Sequence, residues 1–306
     1  MSSTVPPSDA QIAPALSALA QRESGDIHGG TIGSGEERST DHGPPKATHR
    51  LYAHYASTHA GYSTAADTRL VFERDIAPHL PADRDVEILE LGCGQGLMIA
   101  QLHAAGFRQA RGVDISEEQI ATARRNGVHG VECGDLRAAL ASASGRLDVV
   151  TVLDLLEHLG RDELLDVLDL VMAALRPNGI FLARVPNAAS PLAGNTVFGD
   201  LTHQTYFTPR SLRQALLASG FTGVDIRECP PIPHGPTSAA RALVWKGFSG
   251  ILRLALMAET GSHRGHVVTR TMTVTARASG MSSAHPRPPT QVGLDSRHSS
   301  SSHAPR

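Results

Sequence analysis

The stretch ILELGCGQG, residues 88–96, decides the fold of this chain. It joins a short apolar segment, Val86–Leu91, to the glycine loop Gly92–Gly96, and apolar residues at helical spacing follow over Leu97–Ala105. Glycines in such a loop let the backbone turn tightly and let a ligand lie against the main chain. The pattern therefore predicts a strand, a ligand-binding turn and a helix.

Strand and helix patterns alternate on the carboxyl side of this loop. The apolar run Leu147–Leu153 is typical of a strand that is buried on both faces. Such alternation predicts an α/β fold, in which helices cover both faces of a parallel sheet and ligands bind beyond the carboxyl ends of the strands. The other predicted strands are Ala110–Ile115, Gly130–Cys133, Ile180–Val185, Val224–Glu228 and Val267–Ala276. The other predicted helices are Glu117–Asn126, Asp162–Leu175 and Arg210–Ser219.

Composition limits the classes of partner and the extent of the folded domain. The 306 residues include 28 basic and 30 acidic side chains, a balance that does not favour a nucleic-acid partner. Residues 1–47 and 279–306 contain few apolar side chains and are predicted to be disordered, so the domain is expected over residues 48–278. Signal-peptide and membrane-spanning patterns are lacking, and the three cysteines show no disulfide or zinc spacing, which predicts a cytoplasmic protein.

A carboxylate at the end of the second predicted strand helps to distinguish two cofactors. Asp114 follows Gly92 by 22 positions, where a carboxylate can accept the ribose hydroxyls of a nucleotide-like ligand. The dinucleotide fingerprint requires a third glycine where this chain has Leu97, and Glu90 beside the loop would repel a pyrophosphate. S-adenosylmethionine carries an ammonium and a sulfonium group, which suit that carboxylate. The loop therefore favours S-adenosylmethionine.

Several motifs together resemble the class I S-adenosylmethionine-dependent methyltransferase family over about residues 50–278. They are ILELGCGQG, GVDIS at 112–116, ECGDL at 132–136, VLDLLEHL at 152–159, LRPNGIFLARVPN at 175–187 and HQTYFTPRSLRQALLASGF at 203–221. The resemblance implies a Rossmann-like, seven-stranded, mostly parallel sheet with an antiparallel last strand. It also implies a helical lid at residues 48–80.

The same resemblance implies which residues hold the cofactor. The glycine backbone should border the methionine moiety, Asp114 should hold the ribose, and Ile115 should pack on the adenine. The edge of the adenine should meet residues 135–136. The expected cofactor-binding residues are Glu90, Gly92, Gly94, Gly96, Asp114, Ile115, Asp135, Leu136 and Asp154.

Two histidines are candidate catalytic residues. The segment Asp154–His158 should lie beside the methyl donor, and methylation of a hydroxyl group requires that its proton be removed. An imidazole with a pKa near neutrality suits this task, so His158 is a candidate base; alternatively, this segment only shapes the pocket wall. His203, three residues after Asp200, is the second candidate. Asn187 could donate a hydrogen bond to a substrate oxygen.

The alternative to a histidine base is that part of the same segment binds a metal ion. The quinone-biosynthesis O-methyltransferases, which the segment resembles, carry E-x-x-E-H and bind a divalent cation there. Here Asp154, Glu157 and His158 occupy those positions, with a shorter first acid. A reading without a metal is favoured. A metal-assisted quinone or small aromatic O-methyltransferase, and a non-catalytic protein that binds S-adenosylmethionine, remain alternatives.

An insertion at residues 228–261 precedes the last strand. Thr237–Glu259 is predicted to form one or two helices, interrupted at Gly247 and Gly250. It could be a lid packed on the domain. Alternatively, it could rest on a membrane surface with its aromatic side chains buried and its cations at the headgroups. On that reading Trp245 and Phe248 enter the membrane, and the polar arc consists of Arg241, Lys246, Ser249 and Arg253.

The insertion also bears on the identity of the methyl acceptor. Its layout, together with the stretches PNAASPLAG and GDLTH, resembles methyltransferases of bacterial cell-surface polysaccharide gene clusters. This resemblance implies that the acceptor is a sugar hydroxyl of a surface glycan or of its precursor. The sequence predicts no oligomeric state.

Overall fold

A computed structural model describes residue 51, residues 64–262 and residues 265–279. The terminal segments predicted to be disordered are 1–47 and 279–306, and all of their residues except residue 279 lie outside the described residues. Most of the first half of the expected lid also lies outside them. The prediction of a helical lid is therefore examined only from residue 64 onward.

Within the described residues, seven strands form one sheet in the order β3-β2-β1-β4-β5-β7-β6. Neighbours from β3 to β5 are parallel, whereas β7 is antiparallel to both β5 and β6. This confirms the predicted Rossmann-like sheet, including its antiparallel last strand. The strands are β1 (Ile88–Leu91), β2 (Ala110–Asp114), β3 (Val131–Cys133), β4 (Leu147–Leu153), β5 (Leu175–Pro186), β6 (Thr222–Glu228) and β7 (Thr271–Arg277).

Helices lie between the strands and before the first of them. From residue 64 onward, the α-helices of the described residues are α1 (Ala65–Val71), α2 (Leu97–Ala104), α3 (Glu117–Arg125), α4 (Leu136–Ser142), α5 (Arg161–Ala174), α6 (Gly194–Val197), α7 (Pro209–Ala218) and α8 (Pro236–Thr260). A π-helical turn, Phe72–Ile76, and a 3-10 turn, Ala77–His79, follow α1, and a second 3-10 turn covers Leu156–His158.

Two hydrophobic cores cover the two faces of the sheet. Successive side chains of a strand point to opposite faces, so Val150 and Val152 of β4 join one core and Val149 joins the other. The first core is completed by α5 and α7, and the second by α2, α3 and the turn at Phe72–Ile76. Burial on both faces explains why β4 is apolar along nearly its whole length.

The strand order creates a crevice at the carboxyl edge of the sheet. β1 lies between β2 and β4, so the chain leaves β1 toward one side and leaves β4 toward the other. Ligands of open α/β sheets bind at such a switch point. The glycine loop after β1 and the turn after β4 border this crevice, which fixes the position of the candidate site.

Three helices differ from the sequence prediction, one of them the single turn α6, for which no helix was predicted. α8 runs without interruption from Pro236 to Thr260, although breaks were expected at Gly247 and Gly250. A glycine inside a helix costs only about 1 kcal/mol relative to alanine, which the other residues of a long helix can offset. α4 was not predicted, and its first turn is capped by the carboxylate of Asp135. None of the helices in the described ranges is long and apolar enough to cross a membrane.

Candidate active site

The glycine loop after β1 adopts a backbone that favours glycine. Gly92, Gly94 and Gly96 have φ angles of 68°, 52° and 69°, in the left-handed region. A Cβ atom at Gly96 would also lie 2.8 Å from the side chain of Val128. All three positions therefore favour glycine by conformation, Gly96 also by space, and the loop lies at the carboxyl edge of the sheet.

Asp114 at the end of β2 fastens this loop. Its Oδ2 accepts a hydrogen bond from the amide of Gly94 at 2.8 Å, and its Oδ1 accepts one from the amide of Ser116 at 2.8 Å. Burial raises the pKa of Asp114, and the two amide bonds oppose that rise. A carboxylate oxygen has more than one lone pair, so each can also accept a ribose hydroxyl. The next residue, Ile115, is 68% exposed and offers an apolar surface for a base.

The surroundings of the Glu90 carboxyl group show whether a cationic ligand suits this crevice. Its side chain is only 3% exposed, and its Oε2 has no hydrogen-bond partner in the part of the chain that the structure describes. Burial, with the charge of Asp114 as a second cause, raises the pKa of Glu90 well above its ordinary value. A buried carboxyl group without a partner carries a free-energy cost that a cationic ligand relieves. The residues of the loop therefore fit S-adenosylmethionine.

Asp135 and Leu136, which the resemblance places at the edge of the adenine, make contacts within the protein. The Oδ1 atom of Asp135 accepts hydrogen bonds from the amides of Arg137 and Ala138, at 2.7 and 3.1 Å, and so caps α4. Leu136 packs partly against the core. Residues 135–136 follow β3 and lie at the same edge of the sheet as Asp114.

Asp154, the first residue after β4, is held by an arginine that the sequence reasoning missed. Its Oδ1 and Oδ2 both lie 3.1 Å from the Nε of Arg184, and the Nη2 of Arg184 also donates to Oδ2. Asp154 itself has a φ angle of 52°, an uncommon value for a residue other than glycine. The ion pair engages both carboxylate oxygens, so the Asp154 side chain is held in a fixed position at the crevice.

The turn after β4 is bound to the loop that follows β5. The carbonyl oxygen of Glu157 accepts hydrogen bonds from the amides of Gln204 and Thr205, at 2.7 and 3.0 Å. The side chains of the same two loop residues donate to the carbonyl oxygens of His158 and Leu159, each at 2.7 Å. These four hydrogen bonds bring the two predicted histidines together.

His158 lies in a hydrogen-bonded chain with Thr202 and Asp200. Its Nδ1 is 2.8 Å from the hydroxyl oxygen of Thr202, and that hydroxyl donates to Oδ1 of Asp200 at 2.6 Å. A hydroxyl has a single hydrogen, so Nδ1 of His158 must be the donor to Thr202, and the lone pair of the neutral ring is on Nε2. Burial, followed by the effect of His203, lowers the pKa of His158 to about 4. The imidazole is therefore neutral at physiological pH.

His203 packs against His158 and is oriented by the backbone. The two rings are edge to face with centroids 4.8 Å apart. Nδ1 of His203 is 2.9 Å from the carbonyl oxygen of Val197, which can only accept, so its lone pair is on Nε2 as well. That Nε2 lies 3.9 Å from Oδ2 of Asp200. The predicted Asp200–His203 pairing is thus longer than the contacts of Asp200 with Thr202.

The metal-ligand set proposed from the sequence is not the one that the structure brings together. Within the described residues, the donor atoms that cluster within 4.8 Å of one another belong to Glu157, His158 and His203. Asp154 is outside this group because its carboxylate pairs with Arg184. Glu157 is 2% exposed, and its Oε2 has no partner among the described residues. Burial raises the pKa of Glu157, and the charge of Asp154 adds to the rise.

A family model described as a methyltransferase domain matches residues 58–226, which is more than half of the chain. The chain belongs to this methyltransferase family. The match confirms the prediction of a methyltransferase with S-adenosylmethionine as its cofactor. The match does not show to which subfamily the chain belongs, so the likeness to polysaccharide-cluster or quinone enzymes stays a prediction. No curated protein sequence matches the chain.

Solved structures show the same fold at low sequence identity. An S-adenosylmethionine-dependent methyltransferase from Archaeoglobus fulgidus is 20% identical, with a TM-score of 0.55, and the match covers 74% of this chain and 99% of that one. A Thermotoga maritima protein described as a possible histamine N-methyltransferase is 14% identical, with a TM-score of 0.51 and coverage of 75% and 97%. At these identities the likeness concerns the fold alone.

In this methyltransferase, Asn187 does not have the role of substrate contact that the sequence predicts for it. Asn187 is fully buried, and its side-chain amide donates to the carbonyl oxygens of Val267 and Thr269, at 2.8 and 2.9 Å. Its Oδ1 accepts a hydrogen bond from the amide of Ala189. Asn187 therefore fastens β5 to the segment before β7, and its amide hydrogens are not directed at a substrate.

The sequence reasoning also missed two residues that shape the methyltransferase site. Arg184 lies near the carboxyl end of the predicted strand Ile180–Val185, where a cation itself signals a buried acidic partner. Thr202 lies inside the quoted GDLTH stretch, between Asp200 and His203. A hydroxyl flanked by an acid and a histidine is the signal that could have identified it.

Proposed function

We propose that this methyltransferase transfers a methyl group from S-adenosylmethionine to a hydroxyl oxygen. The observation that carries the proposal is the chain from His158 through Thr202 to Asp200. His158 is neutral, is held in one tautomer and follows β4, so it can take the proton of a hydroxyl group, although its pKa of about 4 lies below the near-neutral value expected from the sequence. Asp200 is suited to the far end of the chain: burial opposes its ionisation, but the bonds from Thr202 lower its pKa.

The proposed division of roles follows the geometry of the crevice. Glu90 and the glycine backbone hold the charged methionine part of the cofactor, and Asp114 with Ile115 holds the nucleoside. The cofactor, when bound, supplies an electrophilic methyl group. As the acceptor oxygen attacks, its proton passes to Nε2 of His158, and the charge that develops on the ring is stabilised by Asp200 through Thr202. His203 packs beside this ring and is the second base candidate.

We further propose that the acceptor is a sugar hydroxyl of a surface glycan or of its precursor. The stretch GDLTH, which resembles the polysaccharide-cluster enzymes, contributes Asp200, Thr202 and His203, the side chains gathered around His158. A shared stretch at this position supports a shared chemistry at the acceptor. A cytoplasmic location is part of the same proposal.

A metal-assisted O-methyltransferase acting on a quinone or another small aromatic compound is the second candidate. Two ring nitrogens with lone pairs and the unpartnered Oε2 of Glu157 are a donor set that a divalent cation can bind. The Asp154–Arg184 ion pair counts against the ligand set expected from the resemblance. Turnover that survives exhaustive chelation would remove this candidate.

The proposal is tested by following labelled methyl groups. The full chain is incubated with methyl-labelled S-adenosylmethionine and one of two panels of acceptors. The first panel contains nucleotide-activated sugars and isolated polysaccharide. The second contains hydroquinones and catechols. We expect label only in the first panel, recovered as a sugar methyl ether by mass spectrometry. Label in the aromatic panel, or on an amine, would overturn the proposal, and no transfer to any acceptor would favour a non-catalytic protein.

His158→Ala and His203→Ala identify the base in the same assay. We expect His158→Ala to lower kcat by about 10²–10⁴-fold, the usual contribution of a general base. Binding of S-adenosylhomocysteine should be unchanged, because neither histidine is assigned to the cofactor. If both variants retain full turnover, neither histidine is the base.

A further inference from the structure

Helix α8, residues 236–260, presents its polar side chains to the domain. Ser238 and Ser249 are buried, at 7% and 4% exposure. Arg253 donates to the hydroxyl of Ser249 at 3.2 Å and forms an ion pair with Glu228, at the end of β6. The other carboxylate oxygen of Glu228 accepts the amide of Val268 at 2.8 Å, so the polar face of α8 is bonded to the sheet.

The opposite half of α8 is apolar and exposed. The large apolar side chains on this half are between 38% and 73% exposed. Because successive residues of a helix are 100° apart, these side chains share one half of the circumference with Gly247, Gly250 and Ala258. They are Leu243, Val244, Phe248, Ile251, Leu254 and Met257. A helix on a protein surface normally buries such a face, so an exposed apolar half indicates a surface that contacts another apolar phase.

The charges on α8 indicate which phase that is. The helix contains no acidic residue before Glu259, near its end. Two exposed cations, Arg241 and Lys246, lie at the two borders of the apolar half, where they would meet headgroups when the apolar side chains enter a lipid surface.

The position of α8 relates this surface to the active site. β6 runs parallel to β5, because both are antiparallel to β7, so α8 leaves the sheet at the carboxyl edge and the chain returns there. The loop after β5, at the same edge, exposes Phe198, Leu201 and Tyr206 at 67%, 83% and 49%. Apolar side chains are thus exposed on two segments that leave the edge holding the glycine loop and His158.

We propose that α8 binds the surface of a bilayer that contains anionic lipids. Its apolar half enters below the headgroups, and Arg241 and Lys246 contact the lipid phosphates. The arrangement differs from the one expected from the sequence, because Arg253 and Ser249 face the protein and not the headgroups. The inference does not depend on the identity of the methyl acceptor.

Vesicle co-sedimentation tests the proposal with the full chain. Phosphatidylcholine vesicles with and without about 30% phosphatidylglycerol are compared, and we expect stronger binding to the anionic vesicles. Ile251→Asp with Leu254→Asp should weaken binding at least about tenfold, because both side chains are largely exposed and would enter the lipid. Arg241→Gln and Lys246→Gln should each weaken binding to the anionic vesicles by about fivefold.

The control is Leu217→Asp, which places the same change at a leucine that is 53% exposed on α7, away from α8. It should bind vesicles like the wild type. All variants should keep wild-type affinity for S-adenosylhomocysteine, which shows that they are folded. No vesicle binding by the wild type, equal loss in the control, or a dimer in solution that Ile251→Asp dissociates would overturn the proposal.

Discussion

Nδ1 of His158 donates a hydrogen bond to the hydroxyl oxygen of Thr202 across 2.8 Å, and this contact decides which ring nitrogen can act as a base. The hydroxyl donates a hydrogen bond to Asp200, so the three groups form one directed chain. The partners are 44 residues apart and are joined because the loop after β5 is bonded to the turn after β4.

Thr202→Val should lower turnover without altering cofactor binding. Valine has nearly the shape of threonine but cannot accept the Nδ1 hydrogen, so the ring is no longer held in the reactive tautomer. We expect kcat to fall by about tenfold or more, as when a histidine base loses the group that orients it. Thr122→Val, which removes a side-chain bond to the backbone of Glu118 on α3, is the control. Equal activity of Thr202→Val and the wild type would contradict the assigned role.

The burial of His158 predicts a specific dependence of stability on pH. Its pKa falls from an ordinary 6.5 to about 4, so between these values the unfolded chain takes up a proton that the folded chain does not. The free energy of unfolding therefore decreases as the pH falls from 7 to 5, by about 2 kcal/mol from this group. Stability that is lost in this window is regained as the pH rises.

His158→Gln isolates that contribution, because glutamine does not titrate. Denaturant unfolding of both proteins at pH 7 and pH 5 gives the difference, which should be smaller in the variant by about 2 kcal/mol. Groups that do not interact with His158 titrate alike in both proteins and cancel. An identical loss of stability in the two proteins would show that His158 is not held neutral.

Asp114→Asn should weaken the binding of S-adenosylhomocysteine. The carboxylate holds the loop through Gly94 and Ser116, and it is assigned to the ribose hydroxyls. Loss of a hydrogen bond to a charged group corresponds to about 10–100-fold in affinity, measured by calorimetry. The matched change Asp135→Asn, at a carboxylate that caps α4, should have a smaller effect. The reverse order of the two effects would place the nucleoside elsewhere.

Gly96→Ala should destabilise the domain through both strain and overlap. Its φ of 69° is unfavourable for alanine, and the added Cβ would lie 2.8 Å from Val128 and 3.1 Å from Val131. Gly127→Ala has a similar φ of 76° but meets nothing within 4 Å, so it reports strain alone. We expect about 1 kcal/mol of destabilisation for Gly127→Ala and about 2–4 kcal/mol for Gly96→Ala in denaturant unfolding. Equal values would show that the side chains near Gly96 move away freely.

The fold could be predicted from the sequence because its signals are local. The loop at 92–96 and the apolar run of β4 each depend on neighbouring residues, and β4 was predicted with its observed bounds. Asp114 could be placed because its position follows from the end of β2. The family match agrees with this part of the prediction.

The parts that could not be predicted depend on contacts between distant residues. Arg184 and Asp154 are 30 residues apart, and only adjacent strands bring them together, so Asp154 could be taken for a metal ligand. Asn187 follows a strand like a substrate-binding residue, yet it bonds to backbone about 80 positions away. The direction in which α8 presents its apolar half likewise depends on Glu228.

Calorimetric titration of the wild-type chain with S-adenosylhomocysteine and, separately, with NAD⁺ tests the central claim most directly. The account predicts saturable binding of S-adenosylhomocysteine at one site per chain and no heat of binding for NAD⁺, because Glu90 and the glycine loop suit a cationic amino-acid moiety and not a pyrophosphate. Binding of NAD⁺, or no binding of S-adenosylhomocysteine by the folded protein, would contradict it.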